Sequence, residues 1–385
     1  MRVYLNFGAV ATHHSLYNEL LECPPHGVDY LKHGINPRRM PAPLVSTYRF
    51  VKRFAGGITS PLLRRTVSST APKADLIHFC DHIEFSKERF VSDFEHAWSF
   101  LPGGSVTGAL TKELFDKHRS RVQKKLSQDS CKALIAWTEK GRQSVVNAFG
   151  YHGLEEKFVT IPLAMRIPKD HAPIEHDNFN LLFLGTSNLK GDWNFYYRGG
   201  VRMLRVFKRF AEGKKDVHLT ITGDIPESEL WRTEGLPLTV AGLLPLDELN
   251  HAFRTADAFF YPSYCTPGLA FLEAMRYHLP IITTDSWANP ELVDGSNGIT
   301  GSFTEFKKEG PYGILPVQED YVPFEKNEVD QGLEDSLLEA LEKLYADRKL
   351  AKKLGEAGFR KVSEGPFSIA HRNKLLLETY KKALA

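Results

Sequence analysis

At 385 residues the chain exceeds the size at which a single hydrophobic core stops growing, which points to two domains. Hydrophobic residues at 42%, charged residues at 25% and a net charge of +2 exclude a fibrous or disordered chain. No stretch reaches the roughly 20 apolar residues that span a bilayer, and Met1 to Phe7 is too short for a leader's apolar region, so a soluble cytoplasmic protein is expected.

In chain order, Val3 to Phe7 reads as a buried strand and Ser15 to Glu22 as a helix. Gly8 follows the strand as a turn glycine, and His13 and His14 sit on the same rim without the third ligand a metal site needs. From Tyr30 to Ala74 there is no acidic residue, while Lys32, Arg38, Arg39, Arg49, Lys52, Arg53, Arg64, Arg65 and Lys73 are basic. With Tyr48, Phe50 and Phe54 interleaved, this block suits an anionic membrane face or a lipid-phosphate acceptor as well as a solvated basic face; no nucleic-acid motif accompanies it. Strands at Ala74 to Phe79 and Ala133 to Trp137 alternate with helices at Lys112 to Leu126 and Lys140 to Phe149, which implies a parallel sheet. Cys23, Cys80, Cys131 and Cys265 lack metal or redox spacing and read as reduced thiols.

Prolines, histidines and charges from Ile161 to Asp177 mark a linker. Beyond it, strands at Leu181 to Gly185, Val217 to Gly223, Ala258 to Tyr261 and Ile281 to Thr284 alternate with helices at Gly200 to Glu212 and Leu246 to Thr255. Two further helices fill Asp330 to Val362, and an amphipathic one spans Ile369 to Leu384. Two doubly wound units leave a cleft between them, and ligands of such sheets sit outside the carboxyl ends of the strands.

Tyr261 to Gly298 carries the chemistry. Thr266, Pro267 and Gly268 read as an N-cap and the start of a helix whose free N–H groups favour a diphosphate, and Glu273 lies within reach of a ribose at the helix tip. The string Tyr261-Pro-Ser-Tyr-Cys-Thr-Pro-Gly-Leu-Ala-Phe-Leu-Glu-Ala-Met-Arg-Tyr-His-Leu-Pro-Ile-Ile-Thr-Thr-Asp, continued by Asn289-Pro290-Glu291, resembles the donor-binding signature of the retaining glycosyltransferases of family four (glycosyl transferases group 1).

The resemblance implies an α/β protein of the GT-B fold, two Rossmann-like doubly wound domains facing each other across a cleft. Its expected domains are 1–168 on the acceptor side and 178–365 on the donor side, with the helix 369–385 packing back on the first. It implies transfer of a sugar from a UDP- or GDP-sugar to an acceptor hydroxyl with retention, no metal or other cofactor, and a glycan, glycolipid or lipid-phosphate acceptor. Glu273 takes the ribose-binding position, while Cys265 stands where the family carries a sugar-contacting glutamate, which leaves that contact to Thr266 or to a different donor sugar. Gly268 and Leu269 form the helix tip. Arg198, in Tyr197-Arg198-Gly199-Gly200, is the first candidate to neutralise the leaving diphosphate, with Lys190 the second; Thr186 replaces the family's other basic residue. Gly242 and Leu243 hold the base through backbone groups, Gly8 admits phosphate, and His96 contacts the sugar, although Asp93 and Glu95 beside it also fit a plain polar strand end. A non-catalytic nucleotide-sugar scaffold and a GT-B epimerase or hydrolase are the alternatives.

Overall fold

The computed structural model describes residues 1–7, 15–32, 73–101, 112–150, 154–185, 192–266, 268–306, 312 and 318–385. The first half contains β1 (Arg2–Asn6), α1 (Ser15–Glu22), β2 (Asp29–Lys32), β3 (Leu76–Phe79), β4 (Phe90–Phe94), a 3-10 turn (Ala97–Phe100), α2 (Lys112–Leu126), β5 (Cys131–Ala136), α3 (Glu139–Phe149) and β6 (Phe158–Thr160). The second contains β7 (Phe179–Leu184), α4 (Trp193–Tyr197), α5 (Gly200–Ala211), β8 (Val217–Thr222), a 3-10 turn (Glu227–Thr233), β9 (Leu238–Gly242), α6 (Leu246–Arg254) and β10 (Ala258–Phe260). It continues with α7 (Gly268–Arg276), β11 (Ile281–Thr284), α8 (Asn289–Leu292), β12 (Gly298–Gly301), α9 (Gln318–Asn327), α10 (Gln331–Ala346), α11 (Arg348–Ser363) and α12 (Ile369–Leu384).

Both sheets have six parallel strands, ordered β2-β1-β3-β4-β5-β6 and β12-β11-β10-β7-β8-β9. Parallel pairing needs long crossovers, and their helices cover both faces, so strands such as Phe90–Phe94 and Ile281–Thr284 are buried throughout, polar Ser92, Asp93, Thr283 and Thr284 included. Strand order reverses between β1 and β3 in the first sheet and between β7 and β10 in the second. The loops after those four strands are therefore where a ligand crevice opens.

The last helix, α12, leaves the second unit and packs on β3, β4 and β5. Tyr380 on it hydrogen-bonds His78 Nδ1 at 2.7 Å and Tyr30 at 3.0 Å, and Arg372 donates to the Cys23 carbonyl at 2.7 Å. Residues 161–178, without helix or strand, connect the two sheets. Among the described residues no helix is long and apolar enough to cross a membrane. All four cysteines are free thiols.

Candidate functional site

The turn between α4 and α5 places Arg198 at the crossover after β7. Gly199 has φ 73°, and a Cβ there would stand 2.0 Å from the Pro262 carbonyl oxygen, so only glycine lets this turn lie flat against the loop after β10. The Arg198 guanidinium then sits 5.5 Å from the centre of the Tyr261 ring. Burial lowers its pKa while the neighbouring Cys265 and Glu95 side chains oppose that, and an arginine so placed remains a cation. One turn on, Arg202 is wholly buried against Glu325 at 2.6 Å and the Pro262 carbonyl at 3.0 Å. That pair anchors α5 to α9.

The loop after β10 hangs on a buried polar net. Thr283 donates to the Tyr261 carbonyl at 2.7 Å, Thr284 to that of Ser263 at 2.5 Å, and Asn289 Nδ2 to Ser263 and Thr284 carbonyls at 3.2 Å each. Ser263 reaches the Cys265 carbonyl at 2.5 Å. The Cys265 thiol lies 3.3 Å from Ser263 Oγ; burial pushes it up and Arg198 draws it down, with a net upward shift, so the position offers a neutral thiol. Thr266 differs from its expected capping role: its hydroxyl accepts from Ala288 N–H at 2.9 Å, an orphan donor at the start of α8.

On α7, a Cβ at Gly268 would meet Leu163 Cδ1 of the connecting segment at 2.9 Å, and Leu269 beside it is half-buried. Glu273 is half-buried, its carboxyl raised by burial and lowered by Arg276, which stands 3.5 Å away. Arg276 also donates to the Arg166 carbonyl at 3.3 Å, and Arg166 is bound to Glu19 at 2.9 Å, linking α7 to α1 of the first unit. Gly242, at φ 64°, accepts from Gly223 N–H at 2.7 Å, and Leu243 beyond it is 61% exposed beside exposed Leu246.

The facing wall comes from the first sheet. Asp81 follows β3, in the left-handed region at φ 55°, and its Oδ1 accepts from Ser99 at 2.5 Å. Asp93 is structural: its Oδ1 accepts from Tyr17 at 2.8 Å and from Asp81 N–H at 2.7 Å, and its Oδ2 stands 3.3 Å from His78. Glu95 follows β4, pressed so close to α3 that a Cβ at Gly141 would stand 2.2 Å from its carbonyl oxygen. His96 is buried with its ring 4.7 Å from Trp98, and burial lowers its pKa, which keeps it neutral. His96 Nδ1 and Trp98 Nε1 have no hydrogen-bond partner among the described residues.

The two walls meet across the cleft. Glu291 of α8 accepts from the free Glu139 and Lys140 N–H groups of α3 at 2.6 and 2.8 Å, so one unit caps a helix of the other. The structure thus brings Arg198, Cys265, Thr266, Gly268 and Glu273 to one wall and Glu95 and His96 to the other, with Gly242 and Leu243 at the end of β9. Gly8, Lys190, His13, His14 and positions 33–72 of the basic block lie outside the described residues. Among the described residues no group of three His, Cys, Asp or Glu side chains could hold a metal ion. Asp81 and the capping role of Glu291 escaped sequence reasoning. An Asp-His pair after an apolar strand was the available signal for Asp81, and none existed for a cap between units.

Residues 190–307 match the family model described as Glycosyl transferases group 1. A stretch of 107 residues is 30% identical to the sulfoquinovosyl transferase SQD2 of Arabidopsis thaliana, covering 27% of this chain and 21% of that relative. Among solved structures, HepE of Anabaena in complex with UDP-glucose superposes at a TM-score of 0.61 over 99% of both chains, at 11% identity. The sucrose-phosphate synthase of Thermosynechococcus elongatus gives 0.61 at 13% identity over 99% and 98%. TarM gives 0.52 at 13% identity, with this chain spanning 54% of its length. The chain has the GT-B fold, and its sequence likeness to glycosyl transferases lies on the loops that bear Arg198, Cys265 and Glu273.

Proposed function

We propose that the protein is a GT-B glycosyltransferase that moves a sugar from a UDP- or GDP-sugar to an acceptor hydroxyl with retention of anomeric configuration. One observation carries this reading: the segment matching Glycosyl transferases group 1 folds so that Arg198, Cys265 and Glu273 line the carboxyl end of the second sheet. In this reading Glu273 accepts hydrogen bonds from the ribose hydroxyls, which requires Arg276 to share or release it. Breaking the bond between sugar and diphosphate builds charge on the leaving group, and Arg198 with the α7 tip meets that charge without a metal. The thiol of Cys265 offers no charge to the transferred sugar, so His96 and the first wall supply the polar contacts there. The leaving phosphate takes the acceptor's proton on the face it vacates, which accounts for retention without a protein base.

Incubation with a panel of UDP- and GDP-sugars tests the reading by release of free nucleotide diphosphate. Release that falls at least about tenfold in Arg198→Ala, with nucleotide affinity reduced less, fits a cation acting on the leaving group. Turnover unchanged in Arg198→Ala contradicts its role, and conversion of a nucleotide sugar into another nucleotide sugar favours an epimerase. Proton NMR of the first-formed anomer decides retention.

A further inference from the structure

Outside the loops of the cleft, the second unit carries a groove of about 710 Å³, within the size range of small-ligand sites. It shares no residue with the segments that bear Arg198, Cys265 and Glu273. It runs along α5 from Leu204 onward, between the 3-10 turn Glu227–Thr233 and the start of α10. Trp231 on that turn is 59% exposed, although an indole is among the side chains that gain most from leaving water. The Arg232 guanidinium lies over its ring at 4.3 Å and is itself held by Glu229 at 2.7 Å, so the indole is braced while most of it stays open.

An exposed tryptophan is by itself no site, but the carboxylate of Glu334 adds an independent observation. It lines the groove at 2% exposure and is satisfied on one oxygen only. Its Oε1 accepts from Arg205 Nε at 2.7 Å, and Arg205 donates as well to the Glu325 carbonyl at 3.2 Å. Its Oε2 takes no hydrogen bond from any described residue. The groove is also balanced in charge. Arg205, Arg209 and Arg232 are paired with Glu334, Asp335 and Glu229 at 2.6–2.7 Å, while exposed Lys208 and Glu234 make no ion pair with any described residue.

We propose that this groove is a carbohydrate-binding site outside the cleft, and that it takes a neutral oligosaccharide rather than a phosphate- or carboxylate-bearing chain. The C–H face of a pyranose rests on the open indole, apolar surface on apolar surface. Its hydroxyls both donate and accept, so they meet Glu334 Oε2 as donors and the Lys208 ammonium as acceptors. An anion finds every arginine of the groove already neutralised and faces the open oxygen of Glu334. A peptide that docks as a polyproline helix needs an aromatic-lined groove, whereas Trp231 is the only aromatic among the described residues that line this one. The proposal rests on the groove alone and holds whether or not the cleft binds the donor proposed above.

Saturation-transfer NMR tests this, with maltotriose, cellotriose and chitotriose as neutral probes, trigalacturonate as the anionic one and decaproline as the peptide. At least one neutral trisaccharide is expected to bind in preference to trigalacturonate and decaproline, and to change the tryptophan fluorescence. Trp231→Ala removes that change and weakens binding at least about tenfold, whereas Trp231→Phe keeps an aromatic ring and retains binding. Glu334→Gln leaves Arg205 uncompensated and admits trigalacturonate. Tighter binding of trigalacturonate or decaproline to the unaltered protein, trisaccharide binding undiminished in Trp231→Ala, or binding of none of the three trisaccharides overturns the proposal. Thermal melting of each variant reports on its fold. Binding of UDP- and GDP-sugars by calorimetry, expected to be equal in Trp231→Ala and the parent, keeps the outcome at the groove separate from that of the donor reading.

Discussion

Two carboxyls in the cleft show how burial and partners set a residue's task. Glu273 is raised by burial but kept in hand by Arg276, so it remains available as an acceptor on α7. Glu273→Ala is expected to weaken nucleotide-sugar binding by at least about tenfold with a normal thermal transition in the absence of ligand, because it removes two charge-assisted hydrogen bonds and no packing. Asp81 has the opposite character. Its folded pKa, about 8, lies above the ordinary 3.8, so the folded state holds a proton that the unfolded chain has released. That contribution is complete below the ordinary value and is lost as pH rises towards 8. Melting of Asp81→Asn against the parent should therefore show little difference under acidic conditions and a growing gain for the variant towards pH 8; a constant difference across that range contradicts a raised Asp81. Asp81 follows an apolar strand and Glu273 sits within α7, yet only Glu273 was singled out from the sequence. It belongs to a long specific string, while the state of Asp81 depends on Ser99, Asp93 and Glu95, brought to it only by folding.

At the level of elements, alternation of apolar runs and helical spacing was enough to place α1, α2 and α12 at their observed limits and the central strands other than β4 within a residue or two. What it missed are the edge strands β2, β6, β9 and β12, with Val240 of β9 exposed, and the central strand β4, whose apolar run is broken by Ser92 and Asp93. Short edge strands take their shape from a neighbour's hydrogen bonds and carry little pattern of their own. The same holds for the Thr266 hydroxyl, which a local capping rule assigned to α7 and which the packing of α8 claims instead. Glu291 extends this to a contact between units. Removing its carboxylate in Glu291→Ala leaves two N–H groups of α3 uncapped and is expected to lower stability by about 1 kcal/mol. It should also increase the radius of gyration measured by small-angle scattering without nucleotide. An unchanged radius and melting temperature would mean that the cap does not hold the cleft.

For the whole molecule, the reading rests on two sheets whose crossovers face one another, with one wall from the 190–307 segment and a polar wall from the first unit. The two-sheet architecture was legible because each half repeats the same alternation around a polar connector. The relation of the walls was not, since it depends on contacts such as Leu163 on Gly268 and Glu291 on α3 between distant parts of the chain. The buried Arg202–Glu325 pair belongs to this scale as well, tying α5 to a helix more than a hundred residues away. Glu325→Ala leaves a buried guanidinium uncompensated and should lower stability by about 3–5 kcal/mol, read as the unfolding midpoint in denaturant. Isothermal calorimetry of UDP- and GDP-sugars against the protein and its Glu273→Ala variant tests the central claim most directly. The account predicts saturable binding of at least one such donor that the substitution weakens at least about tenfold, and binding of none of them, or equal binding by both proteins, would contradict it.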